Sequence, residues 1–125
     1  MKKILLISSL LCIMISCSQP SYKFLTVDEF DSLLKGEDIQ RIDVRTKEEF
    51  EEGHIDFFSL LDYGDSLFIE KADSLLDKSK PVAVYCRTGR RSKQAAETLS
   101  KHGFTVYELD RGITEWKEKD MTIIK

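Results

Sequence analysis

Two rhythms of apolar and polar residues take turns along this chain of 125 residues, short β-prone runs alternating with stretches of helical repeat. Tyr22 to Leu25 starts a strand. Thr26 with Glu29 then makes a capping box for a helix over Val27 to Leu34, which Gly36 closes. Ile39 to Val44 predicts a second strand, and Thr46 with Glu49 opens a short helix through Glu52 that stops at Gly53. A strand near Phe58 to Leu61 and a helix from about Leu67 to Leu76 follow. Pro81 to Tyr85 reads as a buried strand, Ser92 to His102 as a helix with Gly103 beyond its end, Phe104 to Leu109 as a strand and Ile113 to Lys117 as a last short helix. Repeated strand-then-helix units predict an α/β fold, a mainly parallel sheet with helices on both faces. In such sheets ligands bind beyond the carboxyl ends of the strands.

One chemical feature stands at such an end. The run Val82-Ala83-Val84-Tyr85 delivers Cys86 into a loop, Arg87-Thr88-Gly89-Arg90-Arg91-Ser92, that leads directly into a helix. A helix N-terminus presents unpaired N–H groups and the positive end of the helix dipole, and nearby arginines add fixed positive charge. Such surroundings favour the thiolate, the nucleophilic form of a cysteine. Cys86 is the candidate nucleophile, and Arg87, Thr88, Gly89, Arg90, Arg91 and Ser92 are the candidate substrate-binding ring. The plainer alternative is a small buried hydrophobe at a strand end. Each arginine has alternatives too, projection into solvent or pairing with an acidic helix. Thr88 and Ser92 can hydrogen-bond the sulfur or cap the helix, and capping is the expected job of Ser92. Gly89 lets the backbone turn with its N–H pointing inward.

The segment before the first strand changes where this chemistry is expected to operate. Lys2 and Lys3 precede an apolar run, Ile4 to Ile15, of signal-peptide length and too short to span a bilayer comfortably. It ends in Met14-Ile15-Ser16-Cys17, which resembles a bacterial lipobox with Met14 where leucine is usual. The expectation is a lipoprotein-type signal peptide at residues 1–16, a lipidated Cys17 with a tether at residues 17–23, and one domain at residues 24–125. An uncleaved anchor helix or a plain secretory signal are the alternatives, and all three carry the domain across a membrane. The expected location is therefore a membrane-anchored lipoprotein of a bacterial cell envelope, facing the periplasm. With Cys17 lipidated and Cys12 removed, Cys86 is the one thiol left, so no internal disulfide forms.

Composition bounds the rest. Removing residues 1–16, with Lys2 and Lys3, leaves 109 residues and moves the formal charge from −3 to −5, enough for one domain and no support for a nucleic-acid partner. No Cys/His spacing suggests a metal.

Three separated pieces together resemble the rhodanese-like domain family. They are Asp43-Val44-Arg45 with Glu49-Phe50 and Gly53-His54-Ile55; Val84 to Ser92 with Ala95, Ala96 and Leu99; and Gly103-Phe104 leading to Leu109, Gly112 and Trp116. The resemblance implies a three-layer α/β/α domain with about five strands. It also implies a sulfurtransferase whose cysteine takes a sulfane sulfur from a small anionic donor such as thiosulfate and holds it as a persulfide, with no other cofactor. The sulfur then passes to a thiophilic acceptor, a thiol, cyanide or a protein. Asp43 and Arg45 fall where the family has a buried ion pair, which implies support of the site. Phosphatases related to the family use Cys-x5-Arg, whereas here Arg91 falls five residues after Cys86 and Ser92 six, the spacing of the shorter sulfur-handling loop. A non-catalytic binding module of the same fold and a thiol redox partner forming mixed disulfides are the competing functions; the second lacks a resolving cysteine. Two departures stand out, Asp56-Phe57-Phe58 where small residues are usual and Arg111 in place of the first glycine of a pair.

Overall fold

The computed structural model describes residues 21–36 and 38–125; the expected signal peptide and Cys17 lie outside the described residues. Ten elements follow in strict alternation: β1 (Tyr22–Leu25), α1 (Val27–Leu34), β2 (Gln40–Asp43), α2 (Lys47–Glu52), β3 (Ser59–Leu60), α3 (Phe68–Leu75), β4 (Val82–Tyr85), α4 (Arg90–Lys101), β5 (Val106–Leu109) and α5 (Gly112–Glu118). The strands form one sheet in the order β1-β5-β4-β2-β3, and every neighbouring pair is parallel. β1 takes Tyr22 and Lys23 into the sheet opposite Val106 and Tyr107. The expected boundary left those two residues with the tether, but the backbone pairing with β5 claims them.

β4 lies at the centre and is buried on both faces, which is why it reads as an unbroken apolar run. Val82 and Val84 point into a core with Phe68 and Ala72 of α3 and Ala95, Ala96 and Leu99 of α4. Ala83 and Tyr85 point the other way, into a core with Val27 and Phe30 of α1 and Ile113 and Trp116 of α5. The result is the three-layer α/β/α arrangement.

Local signals in the chain account for the helix starts. Thr26 and Thr46 each accept the backbone N–H of the glutamate three residues on, at 3.3 Å, and each glutamate carboxylate accepts the threonine's own N–H in return. The aromatic departure resolves by dividing inside from outside. Phe57, at φ 68°, is 80% exposed, while Phe58 is buried edge-on against Tyr85 with ring centroids 4.9 Å apart. One phenylalanine thus fills the core directly behind the residue that precedes Cys86.

Candidate active site

Cys86 follows β4 immediately and lies at the carboxyl end of the central strand. It is 1% exposed and packs with Val84, Ala95 and Ala96, so burial alone fits the plainer reading of a core hydrophobe. The polar contacts of the sulfur do not. The Gly89 N–H donates to Cys86 Sγ at 3.1 Å, and the Ser92 hydroxyl lies 3.2 Å from the same atom. A buried sulfur that meets a backbone amide and a hydroxyl is more than a packed hydrophobe, because both groups can donate to it.

Gly89 makes that geometry possible. Its φ is +101°, and a Cβ placed there would lie 2.0 Å from the carbonyl oxygen of Asp110, so no other residue fits. Gly89 is also the residue that caps α4. This corrects the expected role of Ser92. The helix begins at Arg90, two residues earlier than the pattern predicted, because the left-handed glycine turns the chain into helical geometry by itself. Ser92 therefore sits inside the first turn, fully buried, with its hydroxyl turned toward the sulfur.

The loop is held from behind by α5. The N–H of Ile113 donates to the carbonyl of Cys86 at 3.0 Å, and that of Thr114 to the carbonyl of Arg87 at 3.1 Å. This approach needs Gly112: a Cβ there would fall 2.4 Å from the Arg87 oxygen and 2.6 Å from the Cys86 oxygen. Of the pair of glycines the resemblance leads one to look for, the one retained is the one pressed against the loop. Arg111 is exposed and bonds only outward, its Nε 3.6 Å from Glu115.

The arginines divide by role. Arg91 forms a two-pronged ion pair with Glu49 of α2, at 2.7 and 2.9 Å. Hydrogen bonding from Arg91 holds the Glu49 carboxyl down at about 2. Arg91 thus takes the option of pairing with an acidic helix and ties the start of α4 to α2. Arg87 and Arg90 are exposed, as is Thr88. Arg87 lines a depression of about 320 Å³ with Arg45, Glu49, Ile113, Thr114 and Lys117. Thr88 borders a second one with Arg111, Thr114 and Glu118.

Asp43 and Arg45 form a buried pair. The Arg45 guanidinium donates to Asp43 at 2.8 to 3.1 Å and to the carbonyl of Gly53 at 2.7 Å, and it lies 5.4 Å from the centre of the Tyr85 ring. The Tyr85 hydroxyl accepts the Ile55 N–H at 3.0 Å, and burial pushes its pKa up. The pair therefore braces α2 and the residue before Cys86 without touching the sulfur.

One residue of the site escaped sequence reasoning. Glu108 of β5 is completely buried, and its Oε1 lies 2.6 Å from the Ser92 hydroxyl. Among the described residues its Oε2 has no hydrogen-bond partner, and Lys93 Nζ lies 3.6 Å from it. Burial pushes the carboxyl up to about 7 against the opposing pull of Ser92 and Lys93. The available signal was alternation: Val106, fully buried, and Glu108 share one face of β5. Among the described residues no cluster of His, Cys, Asp and Glu could hold a metal ion.

Comparison with known proteins identifies the family and the fold. The family model described as the rhodanese-like domain matches residues 26–119. A thiosulfate sulfurtransferase, GlpE, of Shewanella oneidensis is 35% identical over 100 residues, covering 78% of this chain and 95% of that protein. The protein of the same name from Coxiella burnetii is 38% identical over 103 residues, covering 77% of this chain and 88% of its own. Among solved structures, a rhodanese-related protein of Thermoplasma volcanium superimposes with a TM-score of 0.73 at 27% identity, covering 82% of this chain and 98% of that one.

Proposed function

Because this chain belongs to the rhodanese-like domain family, we propose that it is a sulfurtransferase that carries sulfane sulfur as a persulfide on Cys86. The observation that carries the reading is the Gly89 N–H aimed at Cys86 Sγ at 3.1 Å, at the start of a helix of 12 residues. A backbone donor at a helix N-terminus stabilises negative charge on the sulfur and needs no rearrangement during reaction.

In the first half-reaction the Cys86 sulfur attacks the outer sulfur of a donor such as thiosulfate. A new S–S bond forms, the donor's S–S bond breaks, and sulfite leaves with the electron pair. In the second, a thiol, cyanide or protein acceptor attacks the outer sulfur of the persulfide, and Cys86 leaves as thiolate. Neither step needs a metal or an external oxidant. The exposed Arg87 and Arg90 draw in an anionic donor, whereas Arg91, already paired with Glu49, keeps the loop in shape. A thiol that is 1% exposed favours a small donor over a bulky one. The Lys2-Lys3 and Cys17 signals support the further proposal that the domain works outside the cytoplasm on a lipid anchor.

The test is intact mass after exposure to thiosulfate. Wild-type protein gains about 32 Da, one sulfur atom, on Cys86, and turns over once cyanide is added. Cys86→Ser keeps the fold, gains nothing and is inactive. Equal turnover by the variant overturns the reading; a stable mixed disulfide with an added thiol and no persulfide points instead to a redox partner.

A further inference from the structure

Ser92 has one hydroxyl proton and two atoms competing for it. Cys86 Sγ lies 3.2 Å from its oxygen and Glu108 Oε1 lies 2.6 Å from it, and all three residues are buried. A hydroxyl donates once. Which atom receives that proton depends on Glu108, whose second oxygen has no hydrogen-bond partner among the described residues.

We propose that Glu108 is a positioning residue that governs the reactivity of Cys86 by deciding, through Ser92, whether the sulfur has a hydroxyl donor. The inference rests on Cys86 being the reacting thiol. When Glu108 is a carboxylate, the short bond takes the Ser92 proton, and Ser92 offers the sulfur only an oxygen lone pair, while the Gly89 N–H contact is unchanged. That state suits a thiol whose own S–H donates to Ser92 Oγ. When Glu108 is a carboxylic acid, its O–H donates to Ser92 Oγ and the hydroxyl proton turns to the sulfur. That state suits the thiolate, and equally the persulfide it becomes. Passing from the first to the second moves two protons one place each, from sulfur to Ser92 Oγ and from Ser92 Oγ to Glu108 Oε1. The S–H bond breaks, an O–H bond forms on the carboxylate, and no electrons are exchanged.

The surroundings suit a proton held inside. β1 and β4 flank Glu108 with Phe24 and Val84, both apolar. The charged groups that face it are Lys93 of α4, with Nζ 3.6 Å from Oε2, and Asp110, whose carboxylate holds the same Lys93 at 2.8 Å. Lys93 also donates to the Asp110 carbonyl and lies over the Phe24 ring, so its ammonium is anchored at the rim and only half committed to Glu108. Burial raises the Glu108 titration into the neutral range, where such a relay switches. A proton on Glu108 also removes a negative charge from behind a nucleophile that must meet a dianion.

Alkylation of Cys86 by iodoacetamide tests this without any sulfur donor. The full chain is titrated from about pH 5 to about pH 9, the range over which a shared proton is lost in two steps, with labelling at Cys86 read by peptide-resolved mass spectrometry. The wild-type rate profile has two inflections. Glu108→Gln, whose amide donates to Ser92 at every pH, has one, and reacts about tenfold faster at neutral pH, the change that one unit of coupling produces. Ser92→Ala also has one inflection but lacks the gain. Superimposable wild-type and Glu108→Gln profiles overturn the proposal. Should Glu108→Gln fail to fold, the side-chain carbon signal of Glu108 decides: its titration midpoint differs between wild type and Cys86→Ser, and identical curves overturn the coupling. Two inflections without persulfide formation would sink the sulfurtransferase reading and leave this one standing.

Discussion

Replacing Glu108 by glutamine also has a consequence for folding that can be worked out in advance. The carboxyl rises from an ordinary 4.5 to about 7 in the fold because burial penalises the charge. Between those two values the folded chain binds a proton that the unfolded chain has released, so stability falls as pH rises through this window. The full loss is about 3 to 4 kcal/mol at about 1.4 kcal/mol for each pH unit between those values, present in full above about pH 7 and absent below about pH 4.5. Glu49 has the opposite sign: its carboxyl is held down at about 2 by Arg91, so its contribution is present above its ordinary 4.5 and is lost as pH falls toward 2. Glutamine cannot ionise, so the variant lacks the upper slope and keeps the lower one. It carries a constant cost of about 1 to 3 kcal/mol, because one polar atom of the amide inherits the unpartnered position of Oε2. Urea unfolding of both proteins at a series of pH values isolates the term. Relative to wild type, the variant gains about 3 to 4 kcal/mol between acidic and neutral pH, whatever its constant offset. A difference that stays flat across the series refutes the reasoning.

Two further outcomes follow from the geometry. Asp43→Asn leaves the Arg45 guanidinium buried at 3% exposure without its counter-charge, and costs about 3 to 5 kcal/mol in denaturant unfolding; a change below about 1 kcal/mol, the size of an exposed pair, counts against a buried bracing role. Gly89→Ala meets the Asp110 carbonyl and a φ of +101°, so it loses at least about 2 kcal/mol of stability and slows persulfide formation as the N–H leaves the sulfur; near-native stability in the same unfolding assay would contradict the packing described.

What could be read from the chain was mostly what is local. The capping boxes at Thr26 and Thr46 span three residues, and the apolar run of β4 declares its own burial, so element order and sheet type followed directly. The position of Cys86 at a strand end followed for the same reason. The rest of the site depends on partners distant in sequence. Arg91 meets Glu49 across 42 positions, and nothing near Arg91 says which of the acidic residues it finds. Ser92 looked like a cap because it is a serine at the start of a helical pattern; the left-handed turn at Gly89 moved the cap three residues earlier, and that turn is dictated by the close approach of Asp110. Glu108 was a single charge in a strand pattern, with nothing beside it in the sequence to mark a site. The alternation with Val106 put it inside, where only Ser92 and Lys93 reach it. Phe57 and Phe58 could not be assigned to inside or outside until the turn at Phe57 was known.

The grip of α5 on the Cys86 loop gives the chain an order of events. β4 and its cysteine are made before β5 and α5, yet the carbonyls of Cys86 and Arg87 are held by amides that lie more than twenty residues further on. Until Asp110 and Gly112 have packed against the loop, the contacts that hold the turn aiming the Gly89 amide at the sulfur are not in place. On the proposed reading of Cys86 as the sulfur carrier, a nascent or half-folded chain therefore lacks the donor geometry around the sulfur that the finished domain supplies. Thiol chemistry in this protein reports on the completeness of its fold.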